Sequence, residues 1–260
     1  MRYFSFIAFV CLLLVGCLQT ATAEVTVVSA ETVLAKAETA LAKAEAALAA
    51  ARTAVAEAKV ALSGATMDKW TPLFDGKSLA GWAVPVYGGD GVVEVQEGNI
   101  VLGRGEMMTG IRYEKEFPKI DYEIQYEARR TAGYDFFAAC TFPVNDSFCT
   151  FVNGGWGGGT IGLSSINGYD ASENPSSTYY GFKENVWYRF RIRVNSNRIS
   201  VWITPQDKEG NWETETLHVN LAMEEETTLS TRMEMNLYKP LGFCTWSTEG
   251  QLRNILYRSH

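Results

Sequence analysis

The stretch VWYRFRIRVNSNRISVWI, residues 186–203, alternates apolar with polar side chains on both sides of one interruption. Strict alternation is the pattern of a strand that buries one of its two faces. The interruption, Asn195-Ser196-Asn197, consists of residues that turns favour. The stretch therefore predicts two antiparallel strands, with the apolar side chains directed into a core. These side chains are Val186, Tyr188, Phe190, Ile192 and Val194, then Ile199, Val201 and Ile203.

Similar short runs recur across residues 67–260, and no helical period follows residue 63. The run 120–127 alternates without a break, and Glu97-Gly98 separates the two arms of a predicted hairpin, 92–95 and 99–102. Further strands are predicted at 136–142, 147–152, 217–221, 233–237, 243–246 and 252–257. Ten or more short strands at regular spacing favour two stacked antiparallel sheets of the jelly-roll kind. The predicted fold class is therefore all-β.

Residues 133–174 carry the strongest functional signal in this domain. After two strands joined by a turn at 143–146, the chain enters a glycine run around Trp156 and then a loop rich in side-chain oxygens. Glycine lets a backbone approach a ligand closely. An aromatic ring beside amides and carboxylates suits a polar ligand of sugar size, and a tight corner with a solvated acidic loop is the alternative. The oxygen-bearing side chains are Asn167, Asp170, Glu173 and Asn174.

The first 23 residues have the features of an export signal. Arg2 supplies the positive start, 7–15 is a short apolar run, and Ala21-Thr22-Ala23 is a small-residue cleavage site. Alternatively, Leu14-Val15-Gly16-Cys17 resembles a bacterial lipobox, in which Cys17 receives a lipid anchor. Both interpretations predict an exported protein, periplasmic or extracellular, and the second predicts a membrane-anchored lipoprotein.

The composition excludes some partners and favours others. The net charge is -7, and aromatic residues make up 12% of the chain. Nucleic-acid binding proteins usually carry a basic stripe, so this balance argues against nucleic acid. Aromatic faces together with carboxylates and amides favour carbohydrate as the ligand class.

Residues 30–63 form a low-complexity segment with a seven-residue repeat. Alanine has a high helix propensity, and a strict period of seven indicates a left-handed supercoil with a partner helix. The segment is therefore predicted to be a helical spacer that forms a homo-oligomer as a coiled coil. A lone alanine-rich tether is the alternative. The apolar positions are Leu34, Leu41, Leu48, Val55 and Leu62, with Ala37, Ala44, Ala51 and Ala58 three residues after the first four.

Three passages resemble a known family. The opening LFDGKSLAGW at 73–82, the strand IDYE at 120–123 and the closing QLRNI at 251–255 are similar to motifs of the 3-keto-disaccharide hydrolase domain family, also described as 3-keto-glucoside lyases and hydratases. The resemblance covers about residues 70–258 and implies a concanavalin-like β-sandwich. The chain departs from the family pattern at 134–137, 149–151 and 235–238, which indicates a divergent member.

The resemblance implies a reaction that begins beside a ketone. A base removes the C2 proton of a 3-keto-glycoside, the aglycone leaves from C1, and water adds to the product. Such a site needs a base, a group that stabilises the enolate, and in some cases a divalent metal such as Ca²⁺ or Mg²⁺. The rival functions are a non-catalytic carbohydrate-binding sandwich and a purely structural envelope protein.

The candidate residues come from the central stretch and its edges. Asp135 lies in an apolar strand start and is the predicted base, with a salt-bridged structural carboxylate as the alternative. Asp170 and Glu173 are the other catalytic candidates; they and the neighbouring asparagines are also hard oxygen ligands, and loop capping is their alternative role. The predicted substrate-binding residues are Trp156, Asn153, Asn167, Asn174 and Arg130.

Cys140 and Cys149 lie at equal distances from the centre of the predicted turn 143–146. An exported protein permits a disulfide between them across the hairpin, with Cys244 left as a buried thiol. The alternative is three small apolar core residues.

Overall fold

The computed structural model describes residues 32–55 and 69–260, which belong to two separate compact units. Residues 32–55 form one helix, α1, and the second unit is a β-sandwich. Among these described residues, no helix combines the length and the apolar character needed to cross a membrane. The predicted export signal, the cleavage site and Cys17 lie outside the described residues.

The second unit consists of two antiparallel sheets, as predicted. One sheet has the order β13-β12-β11-β6-β15-β4-β3, with β1 paired to β15, and the other has the order β10-β9-β8-β7-β14-β5-β2. The strands are β1 Thr71–Pro72, β2 Trp82–Ala83, β3 Val93–Gln96, β4 Asn99–Leu102, β5 Met108–Tyr113, β6 Tyr122–Ala132, β7 Ala139–Val144, β8 Ser147–Gly154, β9 Thr160–Ser164, β10 Thr178–Tyr179, β11 Tyr188–Asn195, β12 Arg198–Pro205, β13 Thr216–Ala222, β14 Gly242–Trp246 and β15 Glu249–Ser259.

The main core lies between the two sheets and follows the predicted alternation. In β11, Phe190, Ile192 and Val194 are completely buried, and they pack in one apolar cluster with Ile199 and Val201 of β12. Asn195 pairs with Arg198, so the predicted hairpin has a two-residue turn. The period-two pattern was therefore sufficient to orient both strands.

The hairpin of β7 and β8 has a tighter turn than the sequence suggested. Val144 pairs with Ser147, so that only Asn145 and Asp146 connect the strands. In this register Cys140 faces Phe151 across the ladder, and Cys149 faces Phe142. Of the two alternatives for the cysteines, the structure confirms the second, because Cys140, Cys149 and Cys244 are free, buried thiols and no disulfide crosses the hairpin.

Residues 233–238 form a 3-10 helix and not the predicted strand. Its residues Met235 and Tyr238 pack with Val152 and Cys244 in a second apolar cluster, separate from the main core. Cys244 directly follows the core residue Phe243 in β14, and successive side chains of a strand point to opposite faces of the sheet. This second cluster therefore covers the outer face of the seven-stranded sheet. Within residues 69–260, a short turn at Gly155–Gly158 is the other exception to the prediction of no helix.

The outer face of the eight-stranded sheet carries two buried glutamates. Each carboxylate is surrounded by arginines from neighbouring strands, and four tryptophan rings lie against those arginines. A buried charge is tolerated when it is paired and hydrogen-bonded in this way. Glu123 pairs with Arg191, Arg193 and Arg258, and Glu127 pairs with Arg189 and Arg253.

Candidate functional site

A pocket of about 210 Å³ opens on the outer face of the seven-stranded sheet. Its floor includes Val152 of β8 and Ser164 of β9, which alternate with the core residues of those strands. The 3-10 helix and the segment before it form one wall. The lining residues are Asp135, Phe136, Val152, Trp156, Ser164, Arg232, Glu234, Met235 and Trp246. The pocket therefore combines two indole rings with three charged side chains.

Asp135 is held in the pocket by backbone amides. The N–H of Phe136 donates to its Oδ1 at 2.8 Å, and the N–H of Gly157 donates to its Oδ2 at 3.3 Å. Its own N–H donates to Oγ1 of Thr248 at 3.0 Å. Hydrogen bonds from backbone amides fix the direction of a carboxylate. Both the side chain and the backbone of Asp135 are thus fixed at the edge of the pocket.

Trp156 lies on the glycine turn with a left-handed backbone, at φ 48° and ψ 51°. Its side chain is 47% exposed and lines the pocket. The neighbouring glycines are required by close contacts. A Cβ at Gly155 would lie 2.7 Å from Cγ1 of Val152, and one at Gly158 would lie 2.4 Å from the carbonyl oxygen of Tyr134. The glycine run therefore presses the turn against the sheet and leaves the indole projecting.

Arg232 is the cation of the pocket, and its position is fixed by two carboxylates. Nη1 donates to Oδ2 of Asp170 at 2.6 Å, and Nε donates to Oε1 of Glu234 at 2.7 Å. Hydrogen bonding to Glu234, together with the attraction of Asp170, raises the pKa of the Arg232 guanidinium above its ordinary value. Asp170 in turn accepts a hydrogen bond from Oγ of Ser164 at 3.0 Å. Asp170 thus borders the pocket through Arg232 and Ser164.

The other predicted loop residues lie outside the pocket lining. Asn174 is buried, and its Nδ2 donates to the carbonyl oxygens of Leu163 and Asp170 at 2.6 and 2.8 Å. Asn167 is exposed, and its Oδ1 accepts the N–H of Thr228 at 2.8 Å. Glu173 is exposed. In this structure the two asparagines hold the loop together.

Asn153 and Arg130 also lie away from the pocket lining, on the core side of their strands. Asn153 is completely buried, and its Oδ1 accepts the N–H of Ala138 at 3.1 Å. Arg130 is buried, donates from Nη2 to the carbonyl oxygen of Phe182 at 3.0 Å, and lies 5.9 Å from the centre of the Phe137 ring. Of the eight predicted site residues, the structure brings together Asp135, Trp156 and, at the rim, Asp170.

The structure adds pocket residues that the sequence did not single out, chiefly Arg232, Glu234 and Trp246. Trp246 was predicted only as part of a strand, and the other two fell next to or inside a segment predicted to be a strand. The signal in the sequence that could have identified Arg232 and Glu234 is their opposite charge at a spacing of two residues. Nothing in the sequence connects that pair with Asp170.

The described residues offer no assembled metal site at the loop. Within residues 32–55 and 69–260, no group of three or more histidine, cysteine, aspartate or glutamate side chains could hold a metal ion. Asp170 is paired with Arg232, and Asn174 turns its amide nitrogen towards backbone carbonyls. Of the oxygen ligands considered for Ca²⁺ or Mg²⁺, Asp170, Asn167 and Asn174 are therefore engaged by other partners.

Solved structures resemble this chain at low sequence identity. The VIP36 exoplasmic/lumenal domain, in its Ca2+/Man3GlcNAc-bound form, has a TM-score of 0.50 at 12% identity, over 74% of this chain and 91% of that one. Lectin II from Ulex europaeus has a TM-score of 0.46 at 10% identity, over 74% and 99%. A Parabacteroides distasonis protein, provisionally described as a glycosyl hydrolase, has a TM-score of 0.45 at 13% identity, over 75% and 95%. The first of these confirms the lectin-like sandwich.

The family comparison is more specific than the structural one. No curated protein matches the chain. The sequence pattern of the 3-keto-alpha-glucoside-1,2-lyase-like domain matches residues 69–206, more than half of the chain, and agrees with the resemblance of its opening motif. The matched part includes Asp135 and Trp156 and ends before Arg232. The chain therefore belongs to the 3-keto-alpha-glucoside-1,2-lyase-like domain family, a sugar-related family.

Proposed function

We propose that the pocket on the outer face of the seven-stranded sheet binds a 3-keto-glycoside and that the protein, exported as its N-terminus predicts, cleaves it. The observation that carries the proposal is the meeting of a carboxylate, a guanidinium and two indole rings in one pocket: Asp135, Arg232, Trp156 and Trp246. Indole faces suit a sugar ring, and the two charged groups supply the acid–base and electrostatic functions that the reaction needs.

In the proposed reaction, Asp135 removes the proton from C2 of the 3-keto sugar. The electron pair of the C–H bond forms an enolate, and the negative charge on its oxygen is stabilised by Arg232. Collapse of the enolate breaks the bond from C1 to the glycosidic oxygen, and the aglycone leaves and takes a proton. Water then adds across the C1–C2 double bond, with its hydroxyl on C1 and a proton on C2, so that the net change is hydrolysis.

The hydrogen bonds of the pocket support these roles. Asp135 is oriented by the amides of Phe136 and Gly157, at 2.8 and 3.3 Å, so its carboxylate has one fixed direction. Arg232 is positioned by Asp170 and Glu234, at 2.6 and 2.7 Å. A preorganised cation needs no rearrangement when charge develops on the substrate oxygen. Glu234 is paired with Arg232, which leaves Asp135 as the better base.

Carbohydrate binding without turnover is the second candidate, and one observation favours it. Both oxygens of Asp135 accept backbone N–H groups, as the oxygens of a purely structural aspartate would. In that case the indole rings and Arg232 bind a sugar whose bonds remain intact.

The two candidates differ in the products formed from a 3-keto-disaccharide. The purified protein is incubated with this substrate, and release of the aglycone sugar is followed by chromatography. Catalysis predicts turnover that Asp135→Asn lowers by at least a thousandfold while substrate binding persists. Asp146→Asn, the same change at an exposed turn residue, is the control and should retain full activity. Binding of the intact substrate without product would reject the lyase proposal and support the second candidate.

A further inference from the structure

Helix α1, residues 32–55, leaves an apolar seam uncovered. The leucine and valine side chains of the seam are large and apolar, and each is more than half exposed. They recur every seventh residue, and an alanine follows each of the first three after three positions. A seam of this period belongs to a helix that winds around a partner. The seam consists of Leu34, Leu41, Leu48 and Val55, with Ala37, Ala44 and Ala51.

The alternation of large and small residues favours one orientation of the partner. In a parallel pair, each seam position faces its own copy, so that Leu48 meets Leu48 and Ala51 meets Ala51. Wide layers would then alternate with gaps. In an antiparallel pair the two kinds of position face each other, so that Leu48 meets Ala51 and Val55 meets Ala44. Over residues 44–55, where the described parts of two copies overlap in this register, every layer then has the same width and the helices can pack closely.

The charges that flank the seam favour the same orientation. Glu38, Glu45 and Arg52 follow the first three alanines of the seam by one residue, while the other flank is alanine at positions 40, 47 and 54. In a parallel pair, each charged residue would face one of these alanines. In an antiparallel pair, charged positions face each other, and Glu45 of each copy meets Arg52 of the other. A shift of one heptad brings like charges together in either direction: Glu45 meets Glu45, beside Glu38 with Arg52, or Arg52 meets Arg52.

From the exposed seam, its large–small alternation and this charge pattern, we propose that α1 binds α1 of a second copy in antiparallel orientation and makes the protein a homodimer. The register pairs Leu48 with Ala51 and Glu45 with Arg52, twice each by symmetry. This orientation is distinct from the parallel arrangement that heptad repeats commonly adopt, and it does not depend on the function of the sandwich unit.

A charge-reversal experiment tests both the dimer and its orientation. Sedimentation velocity of the full chain is expected to give a dimer. Glu45→Arg and Arg52→Glu each convert two attractive contacts into two repulsive ones, and each should weaken dimerisation about tenfold or more. An equimolar mixture of the two variants should recover the dimer, because every reversed charge then faces an opposite one. Lys43→Glu reverses a charge outside these flanking positions and should leave the dimer intact.

Three results would overturn the proposal. A monomeric wild-type protein would exclude the dimer, and a trimer or tetramer would exclude a two-helix seam. A dimer that neither single reversal weakens would be parallel. Circular dichroism of each variant reports its helix content, and recovery of the dimer in the mixture shows that a variant has not lost the ability to fold.

Discussion

Arg232 and Asp170 form an ion pair across 62 positions of sequence, with Nη1 of the arginine 2.6 Å from Oδ2 of the aspartate. The pair ties the segment before the 3-10 helix to the loop that follows β9, and it lies at the rim of the pocket. Their side chains are 45% and 26% exposed, so solvent screens the attraction. The contact therefore orients Arg232 more than it stabilises the fold.

Replacement of Asp170 should consequently affect substrate binding more than the stability of the fold. Asp170→Asn removes the charge that holds Nη1 of Arg232, and we expect KM for a 3-keto-disaccharide to rise about tenfold. The free energy of unfolding should fall by no more than about 1 kcal/mol, as expected for an exposed pair. Steady-state kinetics and urea unfolding measure the two quantities. Glu173→Gln, the same change on the exposed neighbour, is the control; equal effects of both variants would contradict the role of the ion pair.

Trp156 offers a variant in which binding and stability should respond differently. Its backbone is left-handed, a conformation that costs a residue with a side chain about 1 kcal/mol and glycine almost nothing. Trp156→Gly should therefore leave the free energy of unfolding within about 1 kcal/mol of the wild-type value. Loss of the indole should weaken binding of the sugar about tenfold.

Calorimetric titration with the 3-keto-disaccharide, in the Asp135→Asn background to prevent turnover, measures this affinity. Trp212→Gly is the matched control, because that indole lies against Arg189 on the other sheet. The Trp212→Gly protein should bind the 3-keto-disaccharide with the same affinity as the Asp135→Asn background protein. Unchanged affinity in Trp156→Gly would show that the indole of Trp156 does not contact the ligand.

The sequence was sufficient to predict the sheets, since burial on one face imposes a period of two that β6, β11 and β12 display clearly. It also pointed to Asp135 and Trp156, because a charge in an apolar run and an indole between glycines are local anomalies. It was misleading at 233–238, where Met233, Met235 and Leu237 alternate as in a strand. Met233 is 84% exposed, whereas Met235 and Tyr238, three residues apart, are the buried pair of a 3-10 helix.

The remaining part of the site depends on distances that no local pattern encodes. Arg232 reaches the pocket because the 3-10 helix packs on the outer face of a sheet, and that packing follows from the fold as a whole. Likewise, Asn174 and Asn167 have the side chains of ligand-binding residues, but hydrogen bonds with their own loop and with Thr228 decide what they do. Residue types therefore identified the region of the site, and tertiary contacts selected its members.

The cysteines provide a direct test of the two apolar clusters, because Cys140 and Cys149 belong to the main core and Cys244 to the second cluster. Burial raises the pKa of Cys140 and Cys244 well above the ordinary value and that of Cys149 to about 12. Because the thiolate is the reactive form, none of the three should be alkylated by iodoacetamide at pH 8 in the folded protein. All three should react after unfolding in guanidinium, as measured by mass spectrometry of peptides. A disulfide-linked peptide that joins Cys140 and Cys149 would contradict the register of the hairpin.

Glu123 should make the free energy of unfolding of the sandwich depend on pH in the acid range. Burial alone would raise its pKa, but hydrogen bonds from Arg193 and Arg258 and the charge of Arg191 outweigh that effect and lower it below the ordinary value of 4.5. A depressed pKa contributes stability that is fully present above the unfolded value and is lost as the pH falls through the folded value. The contribution of this carboxylate should therefore be complete at pH 7 and decline below about pH 4.5.

The variant Glu123→Gln isolates that contribution. It leaves three arginines without their shared carboxylate, so the free energy of unfolding at pH 7 should fall by about 3 kcal/mol. Urea unfolding at pH 7, 5, 4 and 3 should show the difference between wild type and variant narrowing as the pH decreases, because protonated Glu123 no longer attracts the arginines. Glu225→Gln, at an exposed loop position, should follow the wild-type curve. A difference that stays constant across this range would mean that the charge of Glu123 does not stabilise the sheet.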